Sequence, residues 1–118
     1  MPCVLDRKYD GVLDAITAPG GHVQIGRDGD GRAIVANFPA TLPAFFDAFC
    51  ALNADKEGVI AGDERLTFPE LNEHSTRLAK ALAGGFGIGK GDRVAIAMRN
   101  APAWIVSYMA ILKAGGVA

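Results

Sequence analysis

The stretch that decides the fold is the end of the chain, which reads Arg93-Val-Ala-Ile-Ala-Met98, then Arg99-Asn-Ala-Pro102, then an apolar run from Ala103 to Lys113, then Ala114-Gly-Gly-Val-Ala118. The pattern predicts a short buried strand, a cap, a helix, a glycine stop and the beginning of a second strand. Parallel strands are joined by such crossovers, so the stretch indicates an incomplete βαβ unit. We therefore expect these residues to be a piece of a larger α/β protein.

The helix within this stretch has the pattern of a buried element. Asn100 is its predicted N-cap, and Pro102 lies in the first turn, where a missing donor costs nothing. Large apolar side chains point in almost every direction around its axis: Trp104, Ile105, Val106, Tyr108, Met109, Ile111 and Leu112. Their full burial would contribute roughly 10 to 20 kcal/mol. We expect further sheet and helices to cover this helix.

An amphipathic helix is predicted from 68 to 84, ahead of this unit. Thr67-Phe-Pro-Glu70 fits a capping box, and the glycines from Gly84 onward are expected to end the helix. A hairpin precedes it, with strands at 59–61 and 65–68. Further upstream, Thr41 is the predicted cap of a helix from about Pro43 to Leu52.

The front of the chain, residues 1–40, is predicted to be a leader separate from residues 41–118. Apolar spacing favours a helix over 5–17. Two β-prone runs, at 22–27 and 32–37, flank Asp28-Gly-Asp-Gly31 and predict a hairpin.

Composition narrows the classes of partner. The chain has 118 residues with 12 basic and 13 acidic side chains and no like-charge run, so neither nucleic acid nor an anionic membrane is expected to bind. No apolar run is long enough to span a bilayer and no secretory signal is visible, which predicts a cytoplasmic protein. The two cysteines, Cys3 and Cys50, lack metal or redox spacing and are expected to be buried thiols.

Three features of the sequence partly match known binding motifs, but each fits a structural role better. Gly84-x-x-x-x-Gly89-Lys90 approaches a phosphate-binding loop, but position 91 is Gly and the order is helix to strand, so a helix stop and turn is favoured. Asp28-Gly-Asp-Gly31 begins like a calcium loop, but its twelfth position is Pro39, so a hairpin turn is favoured. His22 and His74 have no second ligand at metal spacing. We assign no catalytic, cofactor-binding or metal-binding residue.

The order of motifs from residue 41 onward resembles the opening of the AMP-forming adenylating enzymes, which include acyl-CoA synthetases, luciferase-like enzymes and peptide-synthetase adenylation domains. The resemblance rests on Leu66-Thr-Phe-Pro-Glu-Leu71, on Gly87-Ile-Gly-Lys-Gly-Asp-Arg-Val-Ala-Ile96, on Asn100-Ala-Pro102, and on Ile111-Leu-Lys-Ala-Gly-Gly-Val-Ala118. Tyr9-Asp10, Ala18-Pro-Gly-Gly21 and Asn37-Phe-Pro39 look like the leader of bacterial fatty-acyl-CoA ligases.

This resemblance implies the amino-terminal part of the large domain of a fatty acid–CoA ligase. The enzyme would use ATP, magnesium and coenzyme A with a carboxylic acid substrate, while the family's catalytic and nucleotide-binding loops would lie beyond position 118. The segment alone is therefore expected to be inactive, with the remainder of the same chain as its partner and self-association as a way to cover apolar faces. Two alternatives stay open: a stand-alone interaction module, and a segment of an aryl- or amino-acid-adenylating enzyme.

Overall fold

Four helices and two strand pairs make up the computed structural model, which describes residues 4–118, with side chains described from Tyr9 onward. The elements are α1 (Val4–Thr17), β1 (Ile25–Arg27), β2 (Ala33–Val35), α2 (Leu42–Leu52), β3 (Glu57–Ala61), β4 (Glu64–Thr67), α3 (Phe68–Phe86) and α4 (Pro102–Lys113). The chain divides into two units, one ending at Pro39 and one running from Ala40 to Ala118. The leader role of residues 1–40 remains a prediction.

The first unit contains α1 and the predicted hairpin. Its strands β1 and β2 are antiparallel, with Ile25 opposite Val35, and are shorter than the sequence suggested. At the open end, the Asn37 side chain accepts from the Gln24 N–H at 2.9 Å and donates to the His22 carbonyl at 2.9 Å. Together with the bond from the Ala36 N–H to the Gln24 carbonyl at 2.7 Å, these side-chain bonds hold the hairpin closed beyond its last strand pair.

The second unit begins with α2, which its predicted cap starts, followed by the predicted hairpin. Thr41 is the N-cap of α2, and its hydroxyl oxygen accepts from the Ala44 N–H. The predicted hairpin forms between β3 and β4, with a register irregularity between Glu57 and Val59. At Gly58, a Cβ would lie 2.6 Å from Leu71, so only glycine allows the strand to approach α3 this closely.

The capping box at the start of α3 is confirmed. The Thr67 side chain accepts from the Glu70 N–H, and the Glu70 carboxylate accepts from the Thr67 N–H at 2.8 Å. The predicted end of this helix at Gly84 is wrong, because α3 continues to Phe86. Gly87, with φ of 68°, is the residue that stops it, since a left-handed conformation ends a helix whereas a right-handed glycine only weakens one.

The crossover at the end of the chain forms with less regular structure than predicted. Arg93 and Val117 make a parallel bridge: the Val94 N–H donates to the Val117 carbonyl at 2.9 Å, and the Val117 N–H donates to the Asp92 carbonyl at 2.7 Å. The expected strand over 93–98 is otherwise absent, because nothing in the described part of the chain lies alongside to complete its hydrogen bonds.

The prediction that Asn100 caps α4 is also wrong. The N-cap is Ala101, in extended conformation, and it makes no side-chain cap bond. Because Pro102 is the first helical residue, the cap position belongs to its immediate neighbour, and Asn100 lies one residue too early.

The core of the second unit lies between α3, α4 and the end of α2. Its buried side chains include Cys50, Leu71, Ser75, Ala79, Pro102, Met109, Ala110 and Ile111. Cys50 is therefore buried as predicted, whereas the same prediction for Cys3 concerns a residue outside the described part of the chain. Along α4 the burial is one-sided at its start, where Trp104 stays 36% exposed and stacks on Tyr108 with ring centroids 5.4 Å apart.

Candidate functional site

The glycine-rich segment after α3 is a turn, and its geometry does not fit a phosphate. The Gly89 N–H donates to the Asp92 carboxylate at 2.9 Å, and the Gly91 N–H donates to the Gly115 carbonyl at 3.2 Å. A phosphate would need such backbone donors and would be repelled by the Asp92 carboxylate. The helix stop predicted from the sequence is what the structure contains, and no nucleotide-binding step can be derived from these residues.

The carboxylate of Asp28 likewise accepts hydrogen bonds from backbone N–H groups of its own turn. One carboxylate oxygen of Asp28 accepts from the Asp30 N–H at 3.0 Å and from the Arg32 N–H at 2.9 Å, while Gly31 adopts φ of 79°. This is the turn chemistry of a hairpin. Across residues 4–118, no three described His, Cys, Asp or Glu side chains are grouped so as to hold a metal ion.

The most highly organised polar group in the second unit surrounds Lys113, in the last turn of α4. Its side chain is 9% exposed, and its ammonium contacts the Asp47 carboxylate at 2.8 Å, the Thr76 hydroxyl at 2.8 Å and the Asn72 side-chain oxygen. Three acceptors thus satisfy the three donors of the ammonium. We call Lys113, Asp47, Asn72 and Thr76 the Lys113 cluster.

Helical geometry explains how the Lys113 cluster is assembled. Asn72 and Thr76 are four residues apart on α3, so they share one face, and they also contact each other through their side chains. Asp47 comes from α2, and the ring of Phe46 beside it lies 5.4 Å from the ammonium. A single cation therefore joins three helices that lie far apart in sequence.

An open cleft of about 540 Å³ lies between α2 and α3, and two members of the Lys113 cluster, Asn72 and Thr76, line it. It is lined by Cys50, Ala51, Ala54, Pro69, Asn72, Glu73, Thr76, Arg77 and Lys80. At its rim Glu73 and Arg77 form an exposed ion pair at 3.0 Å. Four of the nine lining residues are apolar or cysteine, and the other five are polar or charged.

Covalent chemistry in this cleft would depend on Cys50, and its surroundings disfavour the thiolate. Burial raises the pKa of the Cys50 thiol, while the nearby Lys113 ammonium lowers it by a smaller amount. His74 lines a different groove on α3, with Arg77, Leu78 and Ala81. The described residues therefore bring no base to this thiol.

Sequence reasoning did not identify the Lys113 cluster. In the sequence Lys113 stands out only as part of the motif Ile111-Leu-Lys-Ala-Gly-Gly-Val-Ala118, and no pattern predicts the cleft. The available signal was one lysine at the end of an otherwise apolar helix, since a charged side chain is almost never buried without a partner. Its partners could not be predicted because they come from two other helices.

Comparison with known proteins identifies the class. The model of the AMP-binding enzyme family matches residues 46–118, and the chain belongs to this family. The resemblance stated from the motifs is thereby confirmed.

The relatives include proteins named as fatty-acid–CoA ligases and a protein named as a peptide synthase. A medium/long-chain-fatty-acid–CoA/3-oxocholest-4-en-26-oate–CoA ligase from Mycobacterium marinum is 40% identical over 63 residues, or 53% of this chain and 11% of the relative. The medium/long-chain-fatty-acid–CoA ligase FadD6 from Mycobacterium tuberculosis is 33% identical over 82 residues, which is 70% of this chain and 14% of the relative. Tyrocidine synthase 3 from Brevibacillus parabrevis is 34% identical over 76 residues, which is 64% of this chain and 1% of the relative. The matched region is thus a small part of each relative.

No helix in the described part of the chain combines the length and the apolar character needed to cross a membrane.

Proposed function

We propose that this chain is the opening scaffold segment of an ATP-dependent, AMP-forming fatty acid–CoA ligase. In the proposed reaction a carboxylate attacks the α-phosphate of ATP to give an acyl-adenylate and pyrophosphate, and the thiol of coenzyme A then displaces AMP. Support comes from membership of the AMP-binding family and from relatives that include fatty-acid–CoA ligases of Mycobacterium marinum and Mycobacterium tuberculosis. The leader resemblance over residues 1–40 supports the same substrate class.

The observation that carries the scaffold role is the joining of α2, α3 and α4 through the contacts of Lys113 with Asp47, Asn72 and Thr76. The crossover between Arg93 and Val117 adds the first parallel contact of a sheet. ATP, magnesium and coenzyme A belong to the proposed reaction, but the Gly89–Asp92 turn does not fit a phosphate. We propose that these residues support the loops of the enzyme that bind and activate the reactants.

The scaffold role is tested by assaying the purified chain with ATP, magnesium, a medium- or long-chain fatty acid and coenzyme A. We expect no pyrophosphate release above background, since no described residue is placed to bind ATP or to activate an acid. The Mycobacterium marinum ligase serves as the positive control in the same assay. Appreciable turnover by the chain alone would overturn the scaffold role.

The proposed substrate class, fatty acids, is tested separately on the polypeptide made from the complete reading frame. Pyrophosphate release is measured with fatty acids, with aromatic acids and with amino acids. The proposal expects the fatty acids to be preferred. Preference for an amino acid would instead favour a peptide-synthetase relative, a reading supported by the 34% identity to tyrocidine synthase 3.

A further inference from the structure

The cleft between α2 and α3 has two unlike walls. The end of α2 and the turn after it supply only small side chains, at Cys50, Ala51 and Ala54, whereas α3 supplies the cations Arg77 and Lys80. The volume of about 540 Å³ lies within the range of pockets that bind small molecules. Such a cleft suits a ligand with a narrow apolar body and a polar head.

The two cations on the α3 wall have donors to spare. Lys80 has no hydrogen-bond or ion-pair partner in the part of the chain that the structure describes. One terminal nitrogen of Arg77 donates to the Glu73 carboxylate at 3.0 Å, which leaves its other N–H groups free. Because Arg77 and Lys80 are three residues apart, they share one face of α3 and can meet the same anionic group.

A third donor comes from Asn72, whose orientation is fixed by the Lys113 cluster. The Asn72 side-chain oxygen accepts from the Lys113 ammonium, so the NH₂ group of the amide points the other way. Among the described residues this NH₂ group has no partner, yet no side-chain nitrogen or oxygen is both buried and unpaired. The NH₂ group is therefore accessible, on a residue that lines the cleft.

The cleft opens on the charged side of α3. All three charged residues of its lining are exposed, and a lysine without a partner, such as Lys80, is almost never buried. Leu78 and Leu82 line a separate cavity with residues 94–98. At about 3.6 residues per turn, these leucines lie on the opposite face of α3 from the cleft. The cleft is therefore distinct from the side of α3 that packs on the predicted strand.

We propose that this cleft binds a small alkyl carboxylate, with the carboxylate held by Asn72, Arg77 and Lys80 and the alkyl chain lying against Cys50 and Ala51. A carboxylate has only acceptors, and the α3 wall offers it three groups with free donors. One acidic and two basic residues line the cleft, so a single negative charge balances them. The proposal does not depend on the adenylating function.

Binding is tested by NMR titration of the isotope-labelled full chain with sodium octanoate. We expect saturable shifts in the millimolar range, largest at residues 50–54 and 69–80. Acetate lacks the alkyl chain and should bind at least about tenfold more weakly. Octan-1-ol lacks the charge and should bind about threefold more weakly. No saturable binding, shifts centred on residues 94–98, or equal or tighter binding of either analogue would overturn the proposal.

Variants of α3 test the placement of the carboxylate. Lys80→Met should weaken octanoate binding about threefold, whereas Lys90→Met removes an exposed lysine outside the cleft and should leave it unchanged. Glu73→Gln frees Arg77 from its ion pair and should strengthen binding about threefold. Equal effects of the two lysine changes, or no gain from Glu73→Gln, would overturn this placement. The NMR spectra show whether each variant is folded, and Glu73→Gln decides if Lys80→Met is not.

Discussion

At the scale of single residues, Lys113 has the largest structural role of any charged group in the second unit. It is a nearly buried cation whose three donors are all satisfied, in a helix that is otherwise apolar. Such a group stabilises only while its partners are present, because the cost of desolvating the charge is always paid. The cluster therefore makes the relative positions of α2, α3 and α4 sensitive to one side chain.

Replacing Lys113 by Met should lower the free energy of unfolding by about 1–3 kcal/mol, because the half-buried acceptors on Asn72 and Thr76 lose their donor. Asp47 is half-exposed and can turn to water, which limits the loss. Urea unfolding followed by circular dichroism measures it. The control Lys80→Met removes an exposed lysine and should change stability by less than about 0.5 kcal/mol. Equal effects at both positions would contradict the role given to the cluster.

Glu70 predicts a specific dependence of stability on pH. Hydrogen bonds from the Thr67 N–H and hydroxyl lower the pKa of the Glu70 carboxyl below its ordinary value of 4.5. A folded-state pKa below the unfolded one adds stability above pH 4.5, and that stability is lost as the pH falls through the folded value. The stability difference between the wild type and Glu70→Gln should therefore shrink between pH 6 and pH 3, as measured by urea unfolding at each pH. A constant difference would show that the charged form is not favoured.

At the scale of elements, the end of α3 depends on backbone conformation more than on composition. Three glycines follow one another closely, but Gly84 and Gly85 are helical and only Gly87 is left-handed. The position of the helix end is thus decided by which glycine adopts positive φ. The other two lie in the last turns of the helix at a small cost.

Alanine substitutions at Gly87 and Gly84 should have opposite signs. Gly87→Ala forces a Cβ into the left-handed region and should destabilise by about 1 kcal/mol or more. Gly84→Ala places a Cβ where no atom lies within 4 Å, and should stabilise by about 0.5–1 kcal/mol. Thermal and urea unfolding of the two variants provide the measurement. Destabilisation by Gly84→Ala would mean that the helix ends earlier than the structure has it.

At the scale of the whole molecule, the second unit is a set of packed helices with the first contact of a parallel sheet. The parallel bridge at Arg93 and Val117 fixes the strand direction, and α4 is the crossover between the two bridge positions. This arrangement can hold other groups in place without contacting a reactant. It agrees with the proposed scaffold role.

A scaffold of this kind should be exchangeable between relatives. A chimera in which residues 46–118 replace the matching segment of the Mycobacterium marinum ligase is expected to keep that enzyme's preference among fatty acids, because the proposed scaffold role gives the exchanged residues no part in selecting the acid. Relative kcat/KM values for acids of different chain length measure this preference. A chimera that is folded and active but prefers different acids would contradict a purely positioning role.

Much of the local structure could be predicted because its causes are local. Thr41, the Thr67–Glu70 capping box and the Asp28 turn each act within a few residues, and each lies where the sequence placed it. The two errors at helix ends arose where two local rules competed, whereas the strand predicted over 93–98 failed to form because a strand needs a neighbour. Asn100 has the right chemistry for a cap but Pro102 sets the start of α4, and Gly84 is a weak helix former but Gly87 provides the stop.

By itself, the sequence determined the helices, the hairpins, the crossover order and membership of the AMP-binding family, because periodicity, caps and motif order are properties of neighbouring residues. Only the tertiary structure decided that Lys113 joins Asp47, Asn72 and Thr76, that a cleft opens between α2 and α3, and that residues 95–99 remain unpaired within the described chain. These features depend on which distant segments meet. A buried ammonium needs acceptors and a strand needs a neighbour, and the sequence alone does not say which residues will supply them.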